Sequence, residues 1–114
     1  ETYGNGDRAR QIIANSLKTN PDVVGIYIMA SEARIPLSIV SELGLDPSII
    51  KIAHERTPFT EAALQQHTLD GVIAQDAGHL VRSAIRRLKG IIDQRKTLQS
   101  QENIRIEILL RTNI

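Results

Sequence analysis

The chain has 114 residues, and its 14 Lys and Arg against 13 Asp and Glu give a formal net charge of +1. That leaves room for one domain with its own core, and no electrostatic footprint for nucleic acid. Aromatics are 3% and cysteine is absent, which excludes a disulfide framework, a thiolate zinc site, a cysteine nucleophile and a surface of base-stacking rings.

No apolar run approaches the ~20 residues that span a bilayer, so no membrane partner is expected. The opening Glu1-Thr2-Tyr3-Gly4-Asn5-Gly6-Asp7 has neither an initiator methionine nor a signal-peptide pattern, and the chain is expected to be a fragment. Asp7 is placed to cap a first helix, with Ala9, Ile12, Ile13 and Leu17 at helical spacing and Asn20-Pro21 as the stop. Val23-Val24-Gly25-Ile26-Tyr27-Ile28-Met29 is uncharged and rich in branched residues, which predicts a strand buried on both faces. Ser31 is the expected cap of a second helix, with Pro36 in its first turn and Gly44 at its end.

The unit then repeats. Ile49 to His54 predicts a strand, and Thr57-Pro58 predicts a cap and first helical residue, opening a helix to about Gln66. Gly71 to Gln75 predicts a third strand, and Asp76 caps the longest helix, with Val81, Ala84, Ile85, Leu88, Ile91 and Ile92 on one face. Ile104, Ile106, Ile108 and Leu110 alternate with Arg105, Glu107 and Leu109, which predicts an edge strand with one wetter face. Alternating strands and helices give an α/β fold: a parallel sheet flanked by helices. Ligands of such sheets bind beyond the carboxyl ends of the strands, at Met29–Arg34, His54–Pro58 and Gln75–Gly78 here.

Those loops carry carboxylates, an amide and guanidinium forks, a mixture suited to the paired donor and acceptor needs of sugar hydroxyls. Catalysis has no candidate. His54-Glu55 is set aside as an acid/base pair because adjacent strand residues point to opposite faces. His54, His67 and His79 lack metal-ligand spacing, so no metal or cofactor is expected. Arg82, Arg86, Arg87 and Lys89 read as a solvated helix face. Val40 to Ile50 has the look of a helix-turn-helix around Gly44, but a recognition helix over Ser48–Glu55 would offer few base-reading side chains beyond Lys51.

Asp22-Val23-Val24-Gly25-Ile26-Tyr27, Ile52-Ala53-His54-Glu55-Arg56-Thr57-Pro58, Asp70-Gly71-Val72-Ile73-Ala74-Gln75-Asp76 and Ile104 to Arg111 together resemble, in order and spacing, the lactose-repressor family of transcription regulators. The resemblance covers nearly the whole chain and implies one lobe of a type I periplasmic-binding-protein-like fold. Residues 1–114 would then be part of an effector-binding domain, mostly its C-terminal lobe, with the helix at about 76–95 crossing to the other lobe. A separate N-terminal DNA-binding domain, absent here, would contact operator DNA. The resemblance further implies a cytoplasmic homodimer that senses a small-molecule effector, usually a sugar, and is not an enzyme. Glu55 stands where the family carries an acidic residue on effector hydroxyls, and Gln75 where a strand-end residue reaches the cleft. The first loop lacks the family's asparagine, so Ser31, Glu32 and Arg34 are the candidates there. Glutamate in place of aspartate at 55 carries the carboxylate about one methylene further into the cleft. Sugar-binding proteins of periplasmic transporters share the fold and are the alternative.

Overall fold

The computed structural model describes residues 5–30, 32–95 and 103–114. Its elements in chain order are α1 (Gly6–Thr19), β1 (Gly25–Ile28), α2 (Arg34–Glu42), β2 (Ile50–His54), α3 (Pro58–Gln65), β3 (Gly71–Gln75), α4 (Ala77–Ile92) and β4 (Ile106–Leu109). They form one sheet in the order β1-β2-β3-β4. The first three strands are parallel, each joined to the next by a helical crossover. β4 departs from the all-parallel expectation and pairs antiparallel with β3. Asp76 N–H donates to Arg105 C=O at 3.1 Å, so β4 starts where β3 finishes and runs back along it.

The helix starts follow from side-chain caps, with two corrections to the sequence reading. Asn5, not Asp7, caps α1 by accepting from Arg8 N–H, and Asp7 lies in the first turn, where its charge suits the helix dipole. α2 starts after Ala33, which offers no capping side chain, so Ser31 is not the adjacent cap; Ser31 itself lies outside the described residues. Pro36 sits in the first turn of α2, and Gly44 ends the segment at φ +64°, a conformation that favours glycine. Thr57 and Thr60 form a reciprocal capping box with Pro58 at the first helical position of α3. Asp76 caps α4 by accepting from His79 N–H at 2.9 Å. Residues 48–55 are turn and strand, so no recognition helix exists and the helix-turn-helix reading is excluded.

Strand register sorts the sheet residues by face. Ile28, Ala53, Val72, Ala74 and Leu109 share one face and pack with Leu37 of α2 and Ala63 and Leu64 of α3 into the core. Tyr27, Ile52, His54, Ile73, Gln75, Ile106 and Ile108 share the other. That second face is open: Ile50, Ile106 and Ile108 are 54%, 63% and 62% exposed. The expectation that β1 is buried on both faces is therefore corrected, since α2 and α3 cover only one. The exposed face of β4 is also its isoleucine face, because Leu109, not Ile106 or Ile108, points at the helices. α1 packs on α2, where Arg10 and Glu42 pair. α4 leaves Val81, Ile85, Leu88 and Ile92 exposed. The radius of gyration is 18.1 Å, against ~13 Å for a compact chain of this length, so the molecule is elongated.

Candidate ligand-binding site

Three parallel neighbours end at the same side of the sheet, so the loops after β1, β2 and β3 open side by side, about one strand spacing apart. The loop after β2 is the most firmly built. Glu55 N–H donates to Ile73 C=O at 2.8 Å, which ties the residue to β3. Thr60 Oγ1 donates to Glu55 C=O at 3.0 Å. Between these anchors Glu55 adopts φ +76°, a conformation that non-glycine residues rarely hold without reason. The left-handed turn breaks the strand alternation after His54. Glu55 Oε1 thereby comes within 3.6 Å of His54 Nε2, contrary to the expectation that the two side chains face apart. The signal was present in Thr57-Pro58: a helix capped there forces the strand to finish by His54, and the alternation rule stops with it.

Gln75 ends β3, exposed and on the open face of the sheet, on the strand next to the one that delivers Glu55. Glu55 and Gln75 are thus brought to neighbouring strand ends. Asp76, which follows, is committed to capping α4; its carboxyl lies below the usual carboxylate range, chiefly because it accepts from the His79 amide, with Arg82, His79 and Arg105 adding positive charge nearby.

The loop after β1 is organised differently. Glu32 Oε1 accepts from Arg34 N–H at 3.0 Å, and the two side chains approach within 3.9 Å. The Arg34 guanidinium lies 5.1 Å from the centre of the Phe59 ring on α3. Arg34 is therefore directed to the α2–α3 side, where it lines a groove of about 450 Å³ with Leu37, Lys51, Phe59 and His67, and not to Gln75.

Residue-type reasoning missed Tyr27. Its hydroxyl lies 2.6 Å from His54 Nδ1, and the two rings meet edge to face with centroids 6.2 Å apart. Tyr27 pairs in register with Ile52, one same-face step before His54, so the contact follows from strand geometry. The signal was a single aromatic residue in an otherwise aliphatic strand. The result is a continuous polar line at the mouth of the sheet: Tyr27, His54, Glu55, with Gln75 beside it.

No family model and no curated protein sequence matches the chain. Solved structures do. GanP, a glucose-galactose binding protein from Geobacillus stearothermophilus, is 17% identical with a TM-score of 0.81, over 100% of this chain and 41% of its own. AraP, an arabinose binding protein from the same organism, is 16% identical with a TM-score of 0.73, over 99% and 42%. A Bacteroides fragilis protein described as a LacI transcriptional regulator is 17% identical with a TM-score of 0.67, over 91% and 36%. The chain thus spans about two fifths of the length of the proteins it matches. At these identities the likeness is one of fold: this chain has the mixed α/β architecture of the periplasmic-binding-protein-like proteins.

Proposed function

We propose that the chain forms one lobe of a two-lobed sugar receptor, the effector-sensing part of a bacterial transcription regulator of the lactose-repressor kind. The observation that carries the reading is Glu55, locked at φ +76° beside the Gln75 strand end, at the side of the sheet where open α/β folds take ligands. A carboxylate on an anchored backbone accepts from two hydroxyls, and an amide both donates and accepts. Fold neighbours named for glucose, galactose and arabinose support a monosaccharide as ligand. Glu32 supplies a further acceptor in the first loop, Ser31 is assigned there by resemblance, and Arg34 acts from the Phe59 side. The site binds and performs no chemistry.

In this reading the second lobe closes over the sugar. Closure shifts a homodimer between two lobe arrangements, and those set how N-terminal domains meet operator DNA in the cytoplasm. α4 crosses to the second lobe, which accounts for its exposed apolar residues. The alternative is a transporter's sugar-binding protein, favoured by the two sugar-binding neighbours described above.

The test is calorimetry on the full-length protein with D-glucose, D-galactose, D-arabinose, D-allose and D-fucose. One of them binds, and Glu55→Ala and Gln75→Ala each weaken it by about tenfold or more, the loss of a hydrogen bond to a charged or buried group. Unchanged affinity in both variants rejects the site. Sugar-dependent binding to operator fragments separates the regulator from the transporter component.

A further inference from the structure

We infer that His54 is a positioning residue for Glu55, pinned by Tyr27 so that its Nε2–H faces the carboxylate. The inference rests on the receptor reading above and adds the device that aims its central acceptor.

The chemistry follows from the donors and acceptors. An ionised carboxylate only accepts hydrogen bonds, so the ring nitrogen facing Glu55 is favoured as a donor. A neutral imidazole has one N–H, which places it on Nε2 and leaves Nδ1 as acceptor. Nδ1 is the atom 2.6 Å from the Tyr27 hydroxyl, which donates to it. The two contacts therefore select the same tautomer. The His54 ring is also the more enclosed partner: its side chain is 23% exposed, against 50% for Glu55. The fixed member thus orients the free one.

At 3.6 Å the Nε2–Oε1 separation is longer than a direct hydrogen bond. It is an orienting charge–dipole contact, which leaves both carboxylate oxygens able to accept from a ligand.

By strand register, no charged side chain among the described sheet residues shares the face of His54. On β1 the facing group is Tyr27, on its own segment Glu55, and on β3 the same-face residues are Ile73 and Gln75. Glu107 and Lys51 project from the opposite face of the sheet by register.

Two measurements test this. In the sugar-free full-length protein, nitrogen chemical shifts of labelled histidine report the neutral tautomer of His54. The proton is expected on Nε2, and Tyr27→Phe is expected to remove that preference. With the tightest-binding sugar of the panel, His54→Ala is expected to bind about tenfold more weakly at neutral pH. His54→Gln, which keeps an N–H that can face the carboxylate, stays within about threefold of the native protein. A proton found on Nδ1, or equal losses for the alanine and glutamine variants, overturns the inference. Failure of every sugar to bind overturns the receptor reading instead, and the tautomer measurement still decides which way the histidine points.

Discussion

Val72 and Leu109 on one face of the sheet are buried, whereas Ile106 and Ile108, a single strand position away, remain more than half exposed. The residue types hardly differ. What differs is the cover: α2 and α3 lay Leu37, Ala63 and Leu64 over the first face, and no described helix lies over the second. An apolar strand residue contributes to stability only where something packs on it, so sequence-equivalent isoleucines and valines are worth different amounts here. The comparison also places the candidate site. Glu55 is held from the covered side by Thr60 and addressed from the open side by His54.

The largest effect that sharpens this contrast is expected at Leu64 of α3, which is 1% exposed in the core beneath the covered face. Leu64→Ala is expected to cost about 2–5 kcal/mol through lost burial and a residual cavity. Urea denaturation would show it as a lower midpoint with a preserved slope. Ile108→Ala on the open face is expected to cost less than ~1 kcal/mol in this chain. Equal losses at the two positions would mean that the open face is covered after all.

A smaller effect is expected at the cap that keeps α3 in place. Thr57 Oγ1 accepts from Thr60 N–H at 3.1 Å, and Thr60 Oγ1 accepts from Thr57 N–H at 2.9 Å. Thr57→Ala is expected to lose ~1 kcal/mol. Because Thr60 also bonds Glu55 C=O, the same variant should loosen the Glu55 turn. Faster amide exchange at Glu55 as well as at Thr60 would show the coupling, and exchange changed at Thr60 alone would refute it.

The order of elements, their boundaries around Thr57-Pro58, Gly44 and Asp76, and the mixed α/β class were all legible in the sequence, because caps, prolines and periodicity are local signals. The direction of β4 was not, since no local signal in a strand says which way it will run beside its neighbour. Nor was the open face: hydrophobic alternation shows which residues want cover, not whether the chain supplies it. At the candidate site, Glu55 and Gln75 were legible as polar residues at strand ends. Their neighbour Tyr27 was not, because its role comes from register across two strands. His54 was judged by a strand rule that the left-handed Glu55 turn suspends.

The smallest expected effect concerns α4, whose apolar residues are largely exposed, so that its cap is coupled only weakly to the core. Asp76 accepts from His79 N–H, and this holds its carboxyl below the ordinary value of 3.8. A group whose folded value is depressed stabilises the fold fully above the unfolded value, and that contribution disappears as the pH falls through the folded one. The native chain should therefore lose helix stability below the ordinary carboxylate range. Asp76→Asn keeps a capping oxygen but has no proton to gain, and it should lack that component of the acid response. Amide exchange of the first turn of α4, followed from neutral pH into acid, separates the two. Parallel acid profiles for the native chain and the variant would show that the His79 amide does not depend on the Asp76 charge. A steeper loss in the native chain, confined to α4, would show that this helix melts without disturbing the covered face of the sheet.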